Sequence, residues 1–308
     1  KYISPINFMK SPVQRISFYD QISRNKRKSF FLIVIIFLTF CLLGYIIGKV
    51  YEGYFFFIMI VAIIFSLVYI VGGYYNSDKI ALASVNAFPA LREDFPRYHN
   101  IVEGLCLASG LSKPKLYVME SNQINAFATG RDPKHAVICV TTGALEKLNK
   151  VELEGVLAHE LSHIANFDIR FMTLTAVLVG MIAIISQLFL RSLWFRSSGD
   201  RGRGNTKAFL MFIGILLAIL APIFTQLVQL AISRKREFMA DASAVKFTRY
   251  NQGLINALKK IKQEHMPERK VNKAVAPLFM SDPFRRQASS LFQTHPSIDQ
   301  RIRVLERM

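Results

Sequence analysis

The stretch Val156-Leu157-Ala158-His159-Glu160-Leu161-Ser162-His163 has the spacing in this chain best suited to chemistry. On a helix, residues i and i+4 lie one above the other, so His159 and His163 aim two imidazoles at one point. Two neutral imidazoles begin a zinc site and leave it one protein ligand short. Glu160 stands about 100° further round the helix, displaced for a ligand but within reach of a proton on a metal-activated water. The neighbouring residues favour a helix. Asn149 with Glu152 three residues later reads as a capping box, and Leu153, Leu157, Leu161 and Ile164 make an apolar stripe beside the histidines.

A carboxylate is the natural third ligand, leaving a fourth position for water. Glu237 is the best candidate, opening a helical turn with Asp241 at i+4 on the same face. Asp241 is placed to accept a hydrogen bond from the second nitrogen of a ligand histidine and so fix its tautomer. On spacing alone, an exposed charge pair beside Arg234-Lys235-Arg236 explains these two acids equally well.

The elements that must position these groups follow from hydropathy. The chain has 308 residues, 52% of them hydrophobic, and a mean hydropathy of +0.28. Four long apolar runs account for this, and about 170 residues remain outside them, enough for one compact domain with its own core. The net charge of +18 raises nucleic acid as a partner. No basic–aromatic interleaving of a nucleic-acid module supports it. Lys and Arg instead crowd the ends of the apolar runs, as anionic lipid and the positive-inside rule favour. The implied partner is the bilayer. Cys41, Cys106 and Cys139 are scattered and give neither a disulfide framework nor a cysteine zinc site.

Residues 1–28 are polar and end in Lys26-Arg27-Lys28, which predicts a cytoplasmic N-terminal segment. Runs 29–48 and 54–72 each have about the twenty residues a bilayer core requires, and the link Lys49–Gly53 makes them an antiparallel hairpin (29–72). Residues 73–170 return to the cytoplasm as the first part of the catalytic domain. There Pro96–Ser109 reads as a helix closed by Gly110, while 115–119, 125–130 and 136–140 read as strands. Thr142-Gly143 opens a short helix before the histidine-bearing one. Such a sheet offers an edge for an extended substrate. Runs at about 171–190 and 208–232 make a second hairpin (171–232), with a basic loop that the positive-inside rule disfavours outside. Residues 233–308 complete the catalytic domain, with helical periodicity to Lys262, a proline-interrupted loop over 264–290 and a last helix from Ile298 to Glu306. Two crossings between His163 and Glu237 return both to one membrane face, beside the bilayer.

Several segments together, in this order, resemble the HtpX family of membrane-bound zinc metallopeptidases: Asn125-Ala126-Phe127-Ala128-Thr129-Gly130, Val140-Thr141-Thr142-Gly143, Leu153 to His163, Ile232-Ser233-Arg234 with Arg236-Glu237, Ala240-Asp241, and Thr294-His295-Pro296. Ser297 stands where that family usually carries a second proline. The resemblance implies one Zn2+ per chain held by His159, His163 and Glu237, with Glu160 as catalytic base. It also implies an active site on the cytoplasmic side of a bacterial cell membrane and a role in quality control of misfolded or damaged membrane proteins. The expected fold is a mostly α membrane protein with four transmembrane helices and a cytoplasmic zincin-like α+β metallopeptidase domain containing a small sheet. His295 is the candidate oxyanion donor, and Asn125, Ala126 and Phe127 are candidates for substrate contact. Two other classes compete: a narrow-specificity CAAX-type membrane peptidase, and a non-enzymatic zinc-containing scaffold or chaperone. A structural zinc is normally closed by a fourth protein ligand, and no cysteine is placed to supply it.

Overall fold

The computed structural model describes residues 18–50, 52–176, 180, 234–264, 278–280 and 296–308. Helix α1 (Phe18–Val50) and helix α2 (Phe55–Tyr75) are joined by a single 3-10 turn, Glu52–Tyr54, which forces the expected hairpin. Small residues let the two helices close on each other: a Cβ added at Gly44 would collide with the Ala62 side chain. Phe40 wedges between Phe65 and Tyr69, its ring 5.3 and 5.0 Å from theirs. The outer surfaces of both helices present Phe30, Phe31, Leu38, Phe56, Phe57 and Val68 to the surroundings. An apolar face of that extent is disfavoured in water and suits lipid. Four spans were expected. Among the described residues one helix, Phe55–Tyr75, is long and apolar enough by itself to cross a membrane, and α1 carries the apolar run at 29–48. Most of the second hairpin, 171–232, lies outside the described residues, as do 1–17.

The remaining described residues build a small mixed sheet covered by helices. Its strands are β1 (Phe88–Pro89), β2 (Lys115–Met119), β3 (Ala126–Gly130) and β4 (Ala136–Thr141), in the order β1-β2-β4-β3. β2 and β4 run parallel, and β3 pairs antiparallel with β4 across the short connection 131–135. The short strand β1 was not legible from sequence. One face of the sheet carries Leu116, Val118, Ala126, Ala128, Ile138 and Val140, and packs against α4 (Pro96–Ser109) and α6 (Lys150–Ala165). The other carries Met119, Phe127, Val137 and Cys139, and packs against α3 (Ser77–Ser84), Met172 and residues 278–279. Gly110 closes α4 at φ 72°, the left-handed backbone expected of a glycine cap. Helix α5 (Thr142–Lys147) begins at Thr141, whose hydroxyl accepts from the Ala144 N–H at 3.1 Å.

Helix α6 carries the two histidines. Both halves of its capping box are formed: the Asn149 side chain accepts from the Glu152 N–H at 2.9 Å, and Glu152 accepts from the Asn149 N–H at 2.8 Å. From Leu153 to Ile164 it is buried on almost every side, so the apolar stripe is only part of its packed surface. Helices α7 (Arg234–Thr248) and α8 (Gln252–Gln263) lie against it. The helical periodicity had suggested continuity through this region. It is broken at Arg249, whose φ of 56° cannot continue a right-handed helix. α8 crosses α6 in direct backbone contact: a Cβ at Gly155 would lie 2.6 Å from the Leu254 nitrogen, and one at Gly253 would collide with the Val151 carbonyl. The last helix, α9 (Ile298–Leu305), starts at Ser297, whose hydroxyl accepts from the Gln300 N–H at 3.2 Å. That cap gives the residue at the resembled proline position a function of its own.

The crossing makes a paired stability prediction. Gly155→Ala overpacks two backbones and is expected to destabilise the chain by about 1–3 kcal/mol. Gly104→Ala, on the exposed side of α4 with nothing within 4 Å, should instead stabilise by about 0.5–1 kcal/mol. Denaturant titration of the detergent-solubilised proteins measures both.

Candidate active site

His159 and His163 project from one face of α6 with their rings perpendicular and their Nε2 atoms 3.2 Å apart. Glu237, on the first turn of α7, brings Oε2 to 3.7 Å from the His159 Nε2 and Oε1 to 3.8 Å from the His163 Nε2. All three residues are buried. Sequence left open whether Glu237 and Asp241 were an exposed charge pair. They are 2% and 0% exposed, so that alternative fails.

The other ring nitrogens are committed elsewhere. Asp241 Oδ1 lies 2.9 Å from the His159 Nδ1, and Asp168 Oδ2 lies 3.2 Å from the His163 Nδ1. A carboxylate can only accept, so each Nδ1 carries a proton, and Nε2 is the nitrogen left with a lone pair when the ring is neutral. With both rings neutral, two lone pairs and a carboxylate converge on one buried point, an arrangement that repels itself unless a cation, proton or metal, occupies it. Zinc ligands at 2.0–2.1 Å in a tetrahedral set sit about 3.3–3.4 Å from one another, close to the separations here. The donor set, two imidazoles and one carboxylate, fits zinc.

Electrostatics agree with that fit. Burial and the nearby Arg301 guanidinium hold His159 down to about 4, against the pull of Asp241, so it is the neutral ring a metal needs. Burial would lower His163 too, but its hydrogen bond to Asp168 and the charges of Glu237 and Asp168 outweigh it and raise the group to about 9. The positive charge favoured there by a proton is the charge a metal ion would supply instead. Glu160 is 1% exposed, and burial raises its carboxyl to about 7.

Two further residues complete the site, and sequence gave neither a role. Arg301 of α9 is 1% exposed and grips Asp241 with two prongs, Nε to Oδ2 at 2.9 Å and Nη2 to Oδ1 at 2.6 Å. Its Nη1 stands 3.7 Å from Glu237 Oε2, so one guanidinium spans the third carboxylate and the orienting one. The signal was an arginine on the inner face of a helix whose other inward positions are Ile302 and Leu305. Asp168 follows His163 by five residues, through a turn in which Phe167 adopts a left-handed φ of 57°. Its acid character so close to a candidate ligand was the available clue.

Of the candidate substrate residues, Ala126 and Phe127 fall on β3, an edge strand, and Asn125 immediately precedes it. Asn125 is buried, and its backbone is bonded to Thr141: the N–H donates to the Thr141 Oγ1 at 3.0 Å and the carbonyl accepts from the Thr141 N–H at 3.1 Å. Ala126 and Ala128 turn their backbone groups outward. The Ala128 N–H bonds to Glu160, and the Ala126 carbonyl accepts from the Met280 N–H at 2.9 Å. Phe127 sends its ring to the sheet face opposite α6, 4.9 Å from that of Phe279, and so away from the ligands. His295 lies outside the described residues.

Comparison with known proteins is consistent with this geometry. A family profile described as Peptidase family M48 matches residues 92–308. A protease HtpX homolog of Thermoanaerobacter pseudethanolicus is 44% identical over 303 residues, covering 96% of this chain and 99% of its own. Another from Streptococcus agalactiae is 38% identical over 294 residues, covering 94% and 99%. The crystal structure of S. mikatae Ste24p aligns with a TM-score of 0.45 at 21% identity, over 92% of this chain and 66% of that one.

Two substitutions test the arrangement. Glu237→Ala should leave the purified chain with little bound zinc by elemental analysis, and full stoichiometry would mean that another group closes the site. Arg301→Met strands the buried Asp241 carboxylate and is expected to cost about 3–5 kcal/mol in denaturant titrations, far more than the loss of an exposed arginine would.

Proposed function

The chain belongs to peptidase family M48, among the HtpX proteases, and from that premise we propose an integral-membrane zinc endopeptidase that hydrolyses misfolded or damaged membrane proteins. The observation that carries the reading is the buried convergence of His159 Nε2, His163 Nε2 and the Glu237 carboxylate, with both Nδ1 protons fixed by acids. One zinc ion per chain would be held by these three residues, and its chemistry is that of a Lewis acid that acidifies water and polarises the scissile carbonyl.

The chain's own residues do the rest. Glu160 neighbours the first ligand on α6 and takes the proton from the attacking water, then passes it to the leaving amine. Its carboxylate is oriented by the Ala128 N–H, which ties the base to the strand beside it. Asp241 and Asp168 hold the two imidazoles in the tautomer that exposes Nε2, and Arg301 holds Asp241. An extended substrate would pair with the outer edge of β3, where the backbone of Ala126 and Ala128 faces the site. Of Asn125, Ala126 and Phe127, Ala126 is the one whose carbonyl faces that edge, and a substrate strand would take it by displacing the Met280 N–H that holds it. His295, shortly before α9, remains the proposed donor to the developing oxyanion.

The wider architecture is part of the same proposal. Two hairpins, 29–72 and 171–232, would give four spans. Lys26-Arg27-Lys28 supports placing the catalytic domain on the cytoplasmic side of a bacterial cell membrane. The exposed apolar faces of α1 and α2 support the first hairpin.

The test uses the purified full chain and an unfolded membrane protein as substrate. Glu160→Gln keeps the shape and loses the base, and should retain zinc while slowing cleavage by at least about 100-fold. A chelator should abolish wild-type cleavage and added zinc should restore it. Cleavage by Glu160→Gln at the wild-type rate removes the assigned mechanism.

A further inference from the structure

Asn25 lies on α1, 4% exposed, beside the basic residues that precede the first apolar run. A buried amide needs partners, and this one finds them more than a hundred residues away. Its Nδ2 donates to Asp168 Oδ1 at 2.7 Å and to the Asn166 carbonyl at 3.3 Å. The other oxygen of Asp168 accepts from the His163 Nδ1 at 3.2 Å. A single carboxylate thus stands between an amide of the N-terminal helix and a ring whose far nitrogen belongs to the candidate metal site.

This relay restricts Asp168 in a definite way. Pinning Oδ1 fixes the carboxylate's rotation, which leaves Oδ2 facing the imidazole and locks the ring's tautomer and plane. Arg236 Nη1, 3.7 Å from Oδ1, supplies charge on the same side without a hydrogen bond. The surroundings keep the amide in place. Ser29 Oγ donates to the Asn25 carbonyl at 3.0 Å, Lys26 Nζ lies 5.0 Å from the Phe167 ring, and Leu32 and Ile36 pack with Phe171 and Leu174. Among the described residues, α1 therefore meets this part of the chain through a buried, hydrogen-bonded asparagine inside an apolar seam.

We propose that Asn25 is a positioning residue for the metal centre, acting through Asp168 on His163, so that the helix leading into the membrane directly sets the orientation of one metal ligand. The inference rests on the zinc reading above. It adds a residue that neither touches the metal nor belongs to the ligand-bearing helices.

The experiment is a double-mutant cycle on zinc affinity, measured by chelator competition on the full chain in detergent. Asn25→Ala should weaken zinc binding by about ten-fold, and Asp168→Ala by at least as much. Asn25→Ala added to Asp168→Ala should cost nothing further, because the relay is already cut. Leu32→Ala loses packing in the same seam and should lower thermal stability with unchanged zinc affinity. Should Asn25→Ala fold poorly, Asn25→Leu has a similar shape, cannot donate to Asp168, and should weaken zinc about as strongly. Affinity within two-fold of wild type for the Asn25 variants, or additive losses in the double mutant, overturns the proposal. Failure of the wild-type chain to bind zinc at all would instead overturn the metal reading on which it rests.

Discussion

Charge balance at the centre of α6 is the constraint to which the rest of the structure answers. Glu160, Asp168, Glu237 and Asp241 are all buried to within 2% of complete. Unpaired carboxylates at that depth cost several kcal/mol each, so every element around α6 must deliver a countercharge or a donor. α9 delivers Arg301, α7 delivers Arg236 alongside Glu237, and β3 delivers the Ala128 N–H. Among the described residues, the two guanidiniums are outnumbered by the carboxylates they face, a deficit that a bound cation would reduce. The donor geometry asks for the same ion. Metal binding and folding of this core would therefore be linked, because the cation would offset charge that packing alone leaves in place.

The close approach of α6 and α8 has a related purpose. A ligand pair on one helix is only as accurate as the helix's placement. With glycines at the crossing, backbone rests on backbone and no side chain can swing aside to let the helices slip. The sheet supplies the opposite wall, and its edge strand reaches the Glu160 carboxylate through a main-chain donor, which mutation of a side chain does not remove.

Local patterns exposed much of this before any coordinates. The i, i+4 histidines, the capping box at Asn149, the Gly110 cap and the strands beside the site all follow from short-range rules, and their boundaries fall within a residue or two. Asp241 was readable because it sits one turn from Glu237. Residues whose meaning depends on distant partners were not readable in this way. Arg301 belongs to an amphipathic helix like many others until α7 is placed against it. Asn25 lies in a basic stretch whose charge draws attention to lipid rather than to a buried amide. The break at Arg249 escaped because a left-handed residue other than glycine leaves no compositional mark. β1 is two residues long, too short to show alternation.

Phe167 carries one more implication. A bulky residue in the left-handed region is strained by about 1–3 kcal/mol, which a glycine would not suffer. Yet this bend turns the chain after α6 so that Asp168 comes back beneath His163, and the ring doubles as a seat for Lys26. A swivelling glycine would relax the bend and let the acid wander from the imidazole. At this corner, ease of folding and constancy of aim pull in opposite directions, and the aromatic side chain takes the part of aim.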